Sequence, residues 1–166
     1  MRTKRLLLVS LIATVGLGVG VLASAADHAQ PTVEPLARGS FVDDVAAQFR
    51  VKSEDGRTHV HQVNDASDVL VAKITIPDGA QVAWHSHSGP VFGVNAGPGT
   101  VTSFHGDDCV PHEYPPGSVL FDRGQHSVHG VFNSSGQDVV IYATFLGVQD
   151  GALIPAEPPG ECNLLP

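Results

Sequence analysis

The chain has 166 residues, 42% of them hydrophobic and 16% charged, with nine Lys and Arg against seventeen Asp and Glu for a formal charge of −8. That length leaves no room for a second domain beside a folded core of ordinary size. With no basic cluster after Arg5, the acidic balance also excludes electrostatic binding to a phosphate backbone.

Arg2, Lys4 and Arg5 form a basic start, Leu6 to Leu22 is an uncharged apolar run, and Ala23-Ser24-Ala25 offers small residues for cleavage. This order predicts a secretory signal peptide over 1–25, and the missing Arg-Arg pair favours a Sec-type route. An uncleaved anchor is the alternative, since the run can just span a thinned bilayer, although Gly16, Gly18 and Gly20 weaken it as a helix. Cleavage after Ala25 leaves six Lys and Arg against seventeen Asp and Glu, a charge of −11, on a secreted or extracytoplasmic chain with no stable membrane association. Residues 26–36 hold Pro31 and Pro35 without apolar periodicity and read as a flexible leader. Phe41, Val45 and Phe49 recur every four residues, which suits a short helical stretch, while Asp43-Asp44 could equally open a loop.

After Lys52 the texture becomes a series of β-branched runs: 68–76, 81–87, 91–95, 100–105, 118–121, 127–132 and 139–146. Pro77-Asp78-Gly79, Gly97-Pro98-Gly99, Pro115-Pro116-Gly117 and Ser135-Gly136 separate them as turns. Closely spaced strands without intervening helices predict an all-β sandwich or barrel over 37–148. The proline-rich tail, 149–166, lacks strand pattern and is expected along the barrel surface. Cys109 and Cys162 are expected to pair in an oxidising compartment, with two free thiols as the alternative, because an isolated pair has no spacing signature.

Nine histidines make convergence the useful question. His85 and His87, at i and i+2 of a predicted strand, project from one face and can share a metal ion. His129 lies on a later strand and can supply a third ligand. Gly79, five residues, then His85-Ser86-His87, with Gly99 closing the segment, resembles the first motif of the cupin family. Gly117, Gly124, His129 and Asn133 resemble the second motif more loosely: its proline is missing, and one extra residue before His129 suggests a β-bulge. The resemblance covers roughly 37–148 and implies a single cupin β-barrel of the double-stranded β-helix or jelly-roll type.

The family usually places a glutamate ligand four or five positions after the second histidine, where this chain has Val91 and Phe92. The resemblance therefore implies one divalent transition metal (Fe, Mn, Zn, Cu or Ni) held by His85, His87 and His129, similar to the all-histidine cupins. A barrel that has lost its metal and keeps these histidines as polar core residues is the alternative. His126 competes with His129, because at a spacing of three in an unbroken strand only one of them can face inward; Asn133 at the family spacing favours His129. His59 and His61 read as solvent-facing and His105 and His112 as surface residues, while Glu113 is a weak candidate for a further ligand.

All-histidine cupins include dioxygenases, so the resemblance implies a metal-dependent oxygenase of a small chelating or anionic molecule. The alternative is a non-catalytic extracytoplasmic protein that binds a metal or small ligand. No residue is identifiable as a general acid or base, and a homodimer is an arrangement the resemblance also implies.

Overall fold

Period-two alternation decides which side of each strand is covered. Along Val139–Leu146, Val139, Ile141, Ala143 and Phe145 are buried and the intervening side chains are not. Along Asp68–Ile76, Leu70, Ala72 and Ile76 turn inward in the same way. Such strands need a second layer, and the computed structural model supplies it. It describes residues 29–52, 56, 58–64, 66–125, 127–147, 153–156 and 162; the expected signal peptide and His126 lie outside them.

The described residues form β1 (Thr32–Ser40), β2 (Ala47–Lys52), β3 (Thr58–Val63), β4 (Asp68–Ile76), β5 (Gln81–Ser86) and β6 (Val91–Asn95). They continue with β7 (Val101–His105), β8 (Pro111–Tyr114), β9 (Val119–Asp122), β10 (His129–Phe132), β11 (Val139–Leu146) and β12 (Ile154–Pro155). One sheet has the order β1-β4-β11-β6-β9, the facing sheet β12-β5-β10-β7-β8, and β2-β3 form a separate hairpin. The antiparallel pairs β7·β8, β6·β9, β5·β10 and β4·β11 are nested one outside the other. The chain is thus one long hairpin with its tip at β7–β8, wound so that successive pairs alternate between sheets. This is an all-β double-stranded β-helix, and its apolar centre includes Ile76, Val101, Val139 and Ile141.

Two stretches depart from the sequence reading. Residues 32–36, assigned to a flexible leader, belong to β1, which pairs with β4 through Pro35↔Ala72 and slips register before Ala37. Proline is tolerated there because β1 is an edge strand, exposed along its whole length. The stretch containing Phe49 is a strand, not a helical turn, since Ala47-Gln48-Phe49-Arg50-Val51-Lys52 alternates apolar with polar and buries accordingly. The tail contributes β12, which pairs Ile154 with Ser86 and Pro155 with His85, and Ala156 N–H donates to Trp84 O at 3.0 Å. Cys162 is bridged to Cys109 with their Cα atoms 5.4 Å apart and packs on Trp84 at the outer face of β5.

One end of the barrel is closed by two fully buried asparagines. Asn95 Nδ2 donates to Gly99 O and Tyr114 O at 2.8 and 2.9 Å. Asn133 Nδ2 donates to Ile76 O and Gln137 O, both at 2.8 Å, and its Oδ1 accepts from Ser135. Gly79, at φ 76°, makes the turn that lets its N–H reach Asn133 O at 2.7 Å. Asn133→Ala removes the side-chain donor to the buried Ile76 O and one of two donors to Gln137 O, and is expected to cost about 1–3 kcal/mol, read as a lower urea midpoint at unchanged slope. Cys109→Ser, which opens a loop of 53 residues, is expected to cost about 4 kcal/mol on the chain-entropy account, measured by the same titration under non-reducing conditions.

Candidate metal site

The opposite end carries the histidines. His85 near the end of β5, His87 just beyond it and His129 at the start of β10 are all buried, and one nitrogen of each lies within 4.8 Å of the others. Their ring centroids are 4.2 to 5.3 Å apart. The register explains the convergence: His129 pairs with His85, yet Val131 pairs with Val82, so β5 carries one extra residue between these points. This irregularity lies in β5 and is separate from the extra residue that the sequence places between Gly117 and His129. It lets Val82 and His85, three apart, both face the cavity.

Backbone carbonyls orient two of the rings. His85 Nδ1 stands 2.7 Å from Ala83 O, and His129 Nδ1 is 3.3 Å from Ser127 O. Burial disfavours the imidazolium and lowers the pKa of His85 to about 4, with His129 adding to the depression, and that of His129 itself to about 4. Burial, with His85 and His129 beside it, takes His87 to about 3. All three rings are therefore neutral at pH 7, the form that ligates a cation.

Asp122, at the end of β9, completes the cluster. Burial raises its pKa to about 6, while the Gly124 N–H, donating to Oδ1 at 3.1 Å, pulls the other way. Gly124 makes this contact at φ 68° while packed against the backbone of Gly89 and Pro90, a position that admits no side chain. Asp122 Oδ2 lies 3.8 Å from His87 Nε2 and 3.9 Å from His129 Nδ1. These separations exceed hydrogen-bond range, and neutral imidazoles make no ion pair. Among the described residues, Asp122 Oδ2 and His87 Nδ1 are the buried side-chain atoms without a hydrogen-bond partner. Sequence reasoning missed Asp122. The available signal was register: Asp122 faces Val91 across β6 and β9, and Val91 holds one of the positions where the first motif carries its carboxylate.

The histidines and Asp122 line a cavity of about 260 Å³ whose other walls include Ile74, Val82, Leu120 and Val131. A larger recess adjoins it, lined by His59, His61, His112 and Arg123, and the two share His105, Tyr114, Phe121 and Asp122. His105, expected at the surface, is half-buried because it pairs with His129 across β7 and β10, its ring 6.2 Å from that of His129. His59 and His61 are also half-buried and stand apart from the three-histidine cluster, His61 against Phe121 at 6.3 Å. Glu113 is exposed on β8, and Asn133 lies at the other end of the barrel.

Nested pairing around a wound hairpin, with His85 on β5 paired to His129 on β10, decides the fold. The chain has the fold of the cupin superfamily. Neither a protein-family model nor a curated protein matches the chain. Among solved structures it is similar to a cupin-like protein from Thermotoga maritima, at 18% identity over 56% of this chain and 68% of that one, with a TM-score of 0.48. It is also similar to a conserved protein with a double-stranded β-helix domain from Klebsiella pneumoniae, at 14% identity over 71% and 90% of the two chains, with a TM-score of 0.45. A salicylate 1,2-dioxygenase from Pseudaminobacter salicylatoxidans aligns at 18% identity over 46% of this chain and 21% of that one, with a TM-score of 0.42.

Depressed histidines and a raised aspartate make opposite contributions to the stability of the metal-free chain. Between about pH 4 and 6.5 the unfolded chain binds protons at His85, His87 and His129 that the folded chain refuses, so these groups withdraw stability as pH falls. Asp122 binds its proton in the folded chain first, between about pH 6 and 3.8, and returns part of that loss. The expected outcome is a net uptake by these groups of about two protons on unfolding near pH 5, with a steeper acid loss in Asp122→Asn. Urea titrations of metal-free protein from pH 4 to 7.5 measure it.

Proposed function

We propose that this chain is an exported, metal-binding cupin that acts as a metal-dependent oxygenase on a small organic molecule with a chelating or anionic group. The observation that carries this reading is the convergence of three buried, neutral imidazoles on the wall of an otherwise apolar cavity. Buried histidines without a common ligand gain little from facing one another, whereas three neutral nitrogens at this spacing fit a divalent transition ion. The donor set suits iron, copper, nickel, zinc or manganese, and the order of basic, apolar and small residues over 1–25 supports loading outside the cytoplasm.

Such an ion supplies Lewis acidity and, if redox-active, electron exchange with dioxygen. The protein's own part is positional. Ala83 O and Ser127 O fix the rings of His85 and His129. Ile74, Val82 and Leu120 exclude water and accept an apolar substrate body. His105 and Tyr114, where the cavity meets the outer recess, can hold the polar end of a ligand entering from that side.

After dialysis the wild-type protein is expected to retain about one metal ion per chain by elemental analysis, the stoichiometry of a single three-ligand site. His85→Ala, His87→Ala and His129→Ala are each expected to lose most of it, while His59→Ala keeps it. Full retention in the three inner variants would sink the proposal. Oxygen consumption by metal-loaded protein with thiols, diketones and flavonols tests the reaction class, and no turnover with any of them assigns a binding role instead.

A further inference from the structure

We infer that Asp122 is a fourth protein ligand of the metal, so that the site is built from three imidazoles and one carboxylate. The inference rests on the metal-binding reading above and adds a residue that is not among the matched positions of either sequence motif.

Three observations carry it. Asp122 is 9% exposed, and its Oδ1 is held by the Gly124 N–H, which leaves Oδ2 as the oxygen directed at the histidines. Oδ2 is buried without a hydrogen-bond partner, a cost that a cation removes and a hydrogen-bonded structural role would not leave. Its separation of 3.8 Å from His87 Nε2 also fits a shared ion, with His129 ligating through Nε2 because its Nδ1 faces Ser127 O. Two donors each about 2.1 Å from one metal stand about 3.0 to 4.2 Å apart, depending on the angle between them. His87 Nε2 and Asp122 Oδ2 fall inside that interval.

Fixing Asp122 through Gly124 also explains why the turn after β9 pays for a left-handed backbone against Gly89. The chemical consequence is a harder donor set. An oxygen anion raises the preference for manganese and ferrous iron relative to a purely imidazole site, and it lowers the charge that an anionic substrate meets from two to one.

The test uses the full chain stripped of metal, with Mn²⁺ for affinity and Co²⁺ for coordination. Asp122→Asn keeps the Gly124 contact through its carboxamide oxygen. It is expected to weaken Mn²⁺ binding by at least about tenfold and to change the intensity of the Co²⁺ visible bands, while the metal-free melting temperature holds or rises. Wild-type protein is expected to show a shift of carboxylate stretching bands in infrared difference spectra on addition of one equivalent of Zn²⁺, a readout independent of any variant. Mn²⁺ affinity within twofold of wild type together with an unchanged Co²⁺ spectrum would overturn Asp122 as a ligand. If His87→Ala still abolishes binding in that case, the three-histidine reading stands and only this inference fails. No binding by the wild-type chain overturns both.

Discussion

Placing polar groups in an apolar barrel is the constraint on which the rest of the structure depends. A buried imidazole or carboxylate loses its hydration and must find a partner, neutralise or bind an ion. At one end of this barrel the solution is hydrogen bonding, since the buried Asn95 and Asn133 direct their amide groups at nearby backbone groups. At the other end it is neutrality: His85, His87 and His129 are held in the uncharged form, and Asp122 keeps one oxygen without a partner. The first end spends its polar atoms on rigidity, and the second holds them in reserve.

The winding of the hairpin keeps these two solutions apart. Because β5·β10 and β6·β9 lie in facing sheets, the end of β5 and the start of β10 meet the start of β6 and the end of β9 across the interior. His85 and His129 therefore come from one sheet and Asp122 from the other. The far ends of β6 and β10 carry Asn95 and Asn133. The hydrogen bonds of these two asparagines are thus made away from the histidine cluster.

Much of this was legible in the sequence, for identifiable reasons. His85-Ser86-His87 after a glycine turn, and His129 followed by Asn133, are local patterns, and the nested sheets bring them together. Period-two runs such as Val139 to Phe145 gave the strands of the core. What stayed hidden depends on neighbours. β1 contains Pro35, which argues against a central strand but not an edge. In β2 the alternation was masked by an accidental spacing of four among Phe41, Val45 and Phe49. Asp122 could not be found from linear spacing, because its relation to His87 runs through the register Val91↔Asp122 between two strands. His105 was misplaced for the same reason, its burial following from its pairing with His129.

The short strand β12 has a consequence for the integrity of the chain. It covers the outer edge of β5, and the Cys109–Cys162 bridge ties the segment that follows it to the loop after β7. Without residues 154–155, the strand that presents His85 would become a sheet edge with unsatisfied backbone groups, a template for pairing with another molecule. Proteolytic trimming of the last dozen or so residues would thus strike at colloidal behaviour before it touched any ligand, turning a guarded strand into an adhesive one.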